Sequence, residues 1–164
     1  VQLIERPRLT DLFEERVDTV PAMTFFAPPS FAVYRYVMDC KYDGVSEERY
    51  ESIEKMPVDL CRELILKHVV VGKYLKEDIG FRNMDYAIYA EEQDGGTTFT
   101  CIGENQVIAY LERDTYKGIP EAGAIEMFLY SVTVGKMIPL ATPNIQPKNG
   151  VVHALNYGYD FGKI

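Results

Sequence analysis

Eleven consecutive residues, Leu64-Ile65-Leu66-Lys67-His68-Val69-Val70-Val71-Gly72-Lys73-Tyr74, constrain this chain more than any other stretch. Leu60, Leu64 and His68 are four apart, the spacing that puts side chains on one face of a helix. The run then turns β-branched over Val69-Val70-Val71, which suits a buried strand better than a helix. Gly72 stops it, as a residue free to take positive φ would. A helix that passes straight into a buried strand, with a histidine at the joint, is a core element. The rest of the chain has to close around it.

The composition can supply that core. With 164 residues, 47% of them apolar, the chain is long enough for one domain over residues 1–164 and short for two. Twelve Tyr and no Trp favour much half-exposed β surface. A formal charge of −8 opposes binding to a phosphate backbone or to an acidic membrane surface, so no nucleic-acid partner is expected. No apolar run is long enough to predict a transmembrane segment. No signal peptide is visible, but the start at Val1 rather than Met suggests a trimmed or mature chain, from which an export signal could have been removed. Cys40, Cys61 and Cys101 match no metal-ligand or redox spacing. They read as buried thiols, with one Cys40–Cys61 or similar bridge as the alternative. There is no Asn-x-Ser/Thr glycosylation acceptor.

Taken in order, residues 1–20 predict a short helix, with Leu9, Leu12, Phe13 and Val17 at helical spacing. Met23–Ala27 reads as a buried strand bounded by Pro28-Pro29, and Ser30 as the N-cap of a helix from Phe31 to Met38. Residues 39–57 are polar, with a turn at Tyr42-Asp43-Gly44 and a short helix opened by Ser46. Asp59 is expected to cap a helix from Leu60 to His68. Tyr74–Gly80 leaves the central strand as a loop or short turn. From residue 84 the period becomes two, which predicts strands on either side of Gln93-Asp94-Gly95-Gly96, joined there as a hairpin. Val107–Leu111 continues this antiparallel meander. Residues 112–127 read as a connecting loop, Phe128–Val134 as a strand, and Pro139–Pro147 as a proline-rich segment. Val151–Asn156 is the last strand, with Asn149-Gly150 expected to supply positive φ for a tight entry. Helices early and strands late make the class α+β with a mostly antiparallel sheet.

Three stretches in this order resemble the motifs of the fasciclin domain, an extracellular adhesion module. Thr24-Phe25-Phe26-Ala27-Pro28-Pro29-Ser30-Phe31-Ala32 is similar to its first motif, an apolar strand, Ala-Pro, a small polar residue and a helix. Leu66–Tyr74 resembles its central Tyr-His motif, with Lys67 where Tyr is usual and Val71 where Pro is frequent. Asn149-Gly150-Val151-Val152-His153 resembles its second motif. Pro29 and Phe31 stand where Thr and an acidic residue are common. The likeness runs from about residue 7 to 157. It implies a fasciclin-like β-wedge or sandwich of mostly antiparallel strands, with several short helices in the N-terminal half.

The only two histidines are the natural suspects for chemistry. A metal centre would need further ligands at paired spacing, and nucleophilic catalysis an activated Ser or Cys; neither pattern occurs. Both read as structural. His68 can settle on a backbone carbonyl or a helix C-terminus, and His153, alternating with Val151 and Leu155, needs a buried hydrogen-bond partner. No catalytic residue, metal or cofactor is therefore assigned, although 25 acidic residues leave a glycosidase-type carboxylate pair open.

The resemblance places Glu77-Asp78-Ile79 where animal periostin-like members are linked to integrin contact through an Asp-Ile pair. Tyr74, Glu77, Asp78 and Ile79 are accordingly the candidate binding residues. The plainer reading has Ile79 plugging the core edge and Asp78 capping a turn. Tyr34, Tyr36, Tyr42 and Tyr50 read as packing and surface, or as a sugar-stacking patch. What the resemblance implies is a non-catalytic adhesion or binding module, secreted or on a cell surface, contacting proteins or polysaccharides. A bacterial surface lipoprotein with its lipid anchor upstream of Val1 suits the composition. The alternatives are a carbohydrate-binding accessory lipoprotein of a glycan-uptake system, and a hydrolase using surface carboxylates.

Overall fold

Strand β1 (Met23–Ala27) lies between two partners remote from it in sequence. The computed structural model describes residues 2–5, 9, 22–42 and 50–164. On one side β1 runs antiparallel to β2 (Val69–Val71), with Met23 opposite Val71. On the other it runs parallel to β7 (Gly150–Leu155), with Met23 opposite Gly150 and Phe26 opposite His153. The three stretches that carry the fasciclin resemblance thus fall on three adjacent strands.

The described residues form one seven-stranded sheet in the order β2-β1-β7-β6-β5-β4-β3, where β3 is Thr97–Thr100, β4 Gln106–Arg113, β5 Ile125–Ser131 and β6 Lys136–Ile145. Every pairing except β1–β7 is antiparallel. The proline-rich segment, which the sequence did not mark as a strand, is the longest one. Its prolines are tolerated because β6 turns a corner. Residues Lys136–Pro139 pair with β5, whereas Leu140–Ile145 pair with β7 through two register shifts. A missing N–H is least costly where a ladder is already interrupted.

At the far edges the sheet curls until its ends meet. The Ile102 N–H, just past β3, donates to the Val69 carbonyl of β2 at 2.8 Å, and the Gly103 N–H to the Leu66 carbonyl at 3.0 Å. Phe26, Val69, Phe99, Val107, Leu129 and Leu155 belong to the continuous buried core. A residue such as Phe26, fully buried, contributes about 2–3 kcal/mol by leaving water.

Before Lys67 the described helices are α1 (Gln2–Glu5), α2 (Ser30–Tyr42) and α3 (Val58–Leu66), with a 3₁₀ turn at Ile53–Lys55. Two of these described helices exceed a single turn, which matches the expected several helices only loosely. Leu12, Phe13, Val17 and the helix opened by Ser46 lie outside the described residues. The second helix starts at Ser30 itself, with the Pro29 carbonyl accepting from Ala32 and Val33, and runs on through Tyr42. The third starts directly after Pro57, so Asp59 sits inside its first turn rather than capping it, where its charge suits the helix dipole. It ends at Leu66, leaving His68 beyond the helix.

The alternation from residue 84 does not make a strand. Residues 84–92 form successive turns, with Tyr86, Ala90 and Gln93 N–H groups bonded to the carbonyls of Asn83, Ala87 and Ala90. One side chain explains this. Gln93 Oε1 accepts from the Asn83 and Gly95 N–H groups, and its Nε2 donates to the Asn83 and Tyr86 carbonyls, meeting backbone demands a ladder would otherwise meet. Ile88 is buried and the Tyr89 ring lies 5.8 Å from Tyr130, so the loop folds down beside the outer face of the meander. The meander itself is β3-β4-β5-β6. Its β4–β5 connection narrows from the expected 112–127 to residues 114–124, and Val132–Val134 belong to the β5–β6 turn.

Gly72 does take positive φ, at +111°. Neither Asn149 nor Gly150 does, which corrects the expected turn chemistry. Gly150 is required for another reason: a Cβ there would sit 2.3 Å from the Met23 carbonyl oxygen. Gly150→Ala is therefore expected to destabilise the fold by roughly 2 kcal/mol or more, by forcing β7 away from β1. A urea midpoint unchanged from the parent would contradict this close approach.

Candidate functional site

The four candidate binding residues occupy one short, heavily bonded segment. Gly72 turns the chain out of β2, and the buried Thr24 hydroxyl receives it: Oγ1 donates to the Gly72 carbonyl at 2.8 Å and accepts from the Tyr74 N–H at 2.9 Å. The Tyr74 ring then packs on Phe99, centroids 4.6 Å apart, and a side chain at residue 72 would strike it. A 3₁₀ turn, Lys76–Asp78, follows. Asp78 Oδ2 accepts from the Leu75 N–H at 2.8 Å, and Ile79 is only 4% exposed. Glu77 and Asp78 therefore carry the exposed polar atoms of the set, Tyr74 is half-buried, and Ile79 faces the core.

The segment is pinned from below by Asn144, a residue that the sequence reading passed over. Asn144 lies in the second irregularity of β6 with φ at +63°, a conformation Asn tolerates better than most residues. Its Oδ1 accepts from the Lys76 N–H at 2.7 Å, and its Nδ2 donates to both Glu77 carboxylate oxygens at 2.9 and 3.1 Å. Its own N–H donates to His153 Nδ1 at 3.2 Å. His153 Nε2 must then carry the proton and donate to the Tyr74 carbonyl at 2.9 Å. A single buried imidazole joins the β6 irregularity to the candidate loop, and its ring stacks on Phe26. Burial lowers its pKa, while the Tyr74 carbonyl and the Glu77 charge act in the opposite direction.

His68 is bonded in the opposite sense. Nδ1 lies 2.7 Å from the Leu64 carbonyl, which can only accept, so Nδ1 carries the proton and Nε2 accepts from the Tyr159 hydroxyl at 3.0 Å. Phe161 stacks on the same ring and the Phe26 N–H donates to the His68 carbonyl. Complete burial brings the imidazole pKa from 6.5 down to about 4; the Leu64 carbonyl opposes this and the Lys67 charge adds to it. Burial likewise holds the Tyr159 hydroxyl protonated. Both histidines are thus spent on backbone and hydroxyl partners.

The two thiols described are equally enclosed. Cys61 and Cys101 are buried thiols, and burial pushes the latter up to about 12. The side chain of Cys40 lies outside the described residues. Among the described residues no group of three His, Cys, Asp or Glu side chains is placed to hold a metal ion, and no helix is long and apolar enough to cross a membrane. Of the tyrosine set, Tyr50 is buried, Tyr36 half-buried and Tyr34 exposed, while Tyr42's side chain lies outside the described residues.

The curled sheet, its corner strand and the helices before Lys67 define a FAS1-like fold. A FAS1 domain pair from the insect cell adhesion molecule fasciclin I aligns with 97% of this chain at a TM-score of 0.57 and 8% sequence identity. The chain spans 44% of the length of that pair. No protein-family model matches the sequence, and no curated protein sequence does.

Two outcomes follow from the histidine geometry. The unfolded imidazole of His68 protonates near pH 6.5 but the folded one only near 4, so its contribution is intact above pH 6.5 and is lost as pH falls toward 4. The loss is on the order of 3 kcal/mol in all. In an NMR titration the His68 ring should stay neutral down to pH 5.5, and the His153 ring should titrate below the ordinary 6.5; a His68 ring titrating at pH 6 or above would contradict the burial. His153→Ala should lower stability by about 1–3 kcal/mol, since it strands the Asn144 N–H and the Tyr74 carbonyl. An unchanged melt accompanied by lost binding would make His153 a ligand contact instead.

Proposed function

We propose that this chain is a single fasciclin-like domain over residues 1–164, working without catalysis as an adhesion or binding module that is secreted or held at a cell surface. A fold shared with a cell adhesion molecule is the observation that carries the reading. Both histidines engaged in neutral, buried hydrogen bonds supports it, because the residue type best suited to acid–base work at neutral pH is withdrawn from solvent. A protein or polysaccharide on a cell surface or in a matrix is the proposed partner. A lipid anchor upstream of Val1 belongs to the same proposal.

The contact surface proposed is the Tyr74–Ile79 segment, through Glu77 and Asp78. The bonds from Thr24, Asn144 and His153 hold its backbone in place, so a partner would meet a preorganised loop and lose little to ordering it. A glycan-uptake accessory protein is the second reading, favoured by exposed aromatic rings on a different face.

Binding of the labelled domain to matrix proteins and cell-surface fractions tests the first. Saturable binding is expected, weakened about tenfold by Glu77→Lys, a change outside the core. Asp78→Asn, which keeps an acceptor for Leu75, should weaken it with the melt preserved. Turnover of a glycan that one Asp or Glu substitution abolishes would replace the module with a hydrolase.

A further inference from the structure

The surface where α2 meets the C-terminal segment combines two features found together nowhere else among the described residues. The first is a stacked, solvent-exposed aromatic pair. Phe31 and Tyr157 lie with ring centroids 4.7 Å apart and planes 13° from parallel, yet remain 41% and 64% exposed. Tyr34, one helical turn from Phe31, is 58% exposed and its ring centroid is 6.5 Å away. Rings left in water at this level are not serving the core.

The second feature is a local excess of positive charge on a chain whose formal charge is −8. Asp160, three residues after Tyr157, has Arg35 at 3.6 Å, Lys136 at 3.4 Å and Lys163 at 3.9 Å. One carboxylate cannot neutralise three cations. Arg35 also ties the two features together, for its guanidinium lies 5.4 Å from the Phe31 ring centroid and donates to the Tyr159 carbonyl. Clefts open on both sides of Asp160. The larger, about 440 Å³, lies between α2, α3 and the C-terminal segment, and carries Asp39 and the Lys67–Glu63 pair on its wall. The smaller, about 160 Å³, is bordered by Lys136, Lys163, Gly158 and Tyr159, and Asp160 is its one acidic residue.

We propose that this face binds an acidic saccharide, a pyranose chain bearing uronic carboxylates. The C–H face of one sugar ring would lie on the outer face of Tyr157, whose inner face is stacked on Phe31, and a carboxylate in the smaller cleft would take up the spare charge of Lys136 and Lys163. An exposed tyrosine ring, backed by Phe31 and beside a shallow charged cleft, suits a sugar ring, which offers a flat apolar face and polar edges, better than an acidic peptide, whose carboxylates need no such platform. The inference deepens the polysaccharide arm of the proposed function and rests on it, but uses a surface separate from Tyr74–Ile79.

Calorimetry and amide NMR with oligogalacturonate test it, against the fully methyl-esterified oligomer as the uncharged counterpart and polyglutamate as the acidic peptide. Shifts at Tyr157, Gly158 and Lys163 are expected, with binding that falls as salt rises and is at least tenfold weaker for the ester. Tyr157→Ala and the double variant Lys136→Glu/Lys163→Glu should each weaken it roughly tenfold with an unchanged melt. Equal affinity for the ester, preference for polyglutamate, or shifts confined to another face each overturn the inference. No binding to any of the three, while the domain still binds cell-surface fractions, overturns it and leaves the binding-module reading standing. Failure of both removes that reading as well.

Discussion

One neutral imidazole holds together three parts of the chain that would otherwise have no reason to meet. His68 closes the end of α3 through the Leu64 carbonyl, receives the C-terminal segment through the Tyr159 hydroxyl, and passes its own carbonyl to the Phe26 N–H of β1. A hydrophobic residue of equal size could fill the space but would leave the Tyr159 hydroxyl buried without an acceptor, at a cost of about 1–3 kcal/mol. The fold therefore depends on a polar group in its driest region, provided that group stays uncharged.

His153 repeats this logic with the tautomer reversed, and the two rings divide the work. One organises the helix side of the sheet, the other the loop side. Phe26 of β1 stands between them, stacked on His153 and donating its N–H to the His68 carbonyl. A displacement of either ring is consequently felt in β1. The candidate loop is built on this frame, its conformation fixed by groups contributed from β1, β6 and β7.

Much of the frame could be read from the residues. The joint at Leu64–Gly72, the strand Met23–Ala27 and the final strand through His153 declare themselves because their apolar and β-branched runs are bounded by proline or glycine. Where the reading failed, a side chain had replaced a ladder or a ladder had been interrupted. Gln93 satisfies the loop that the alternation of Tyr86, Ile88 and Ala90 mimics as a strand. The prolines of β6 look like breakers until its pairing is seen to change partners beside them. Gly150 was assigned to a turn, whereas its role is to let β1 come close, a demand set by a residue far away in sequence. For the candidate loop, sequence placed Asp78 and Ile79 but not Asn144, whose bonds depend on a bulge with no local signature. Tyr159 and Phe161 went unread for a similar reason: they follow the last strand, and only the fold shows that they return to His68.

The joining of the sheet's ends has a consequence for recognition. A protein with a long free strand edge can be bound by main-chain pairing, as an incoming segment extends the sheet and sequence matters little. Here the terminal strands are three and four residues long, and the chain just past one of them already donates its N–H groups across to Val69 and Leu66. Such short, mutually engaged edges offer a poor template to a visiting strand, whether from a ligand or from another unfolding copy. A partner would instead have to be met by side chains on the outer surface. That surface can diverge freely while the wedge beneath it stays the same, and a chain only 8% identical to a FAS1 domain pair can still keep its architecture.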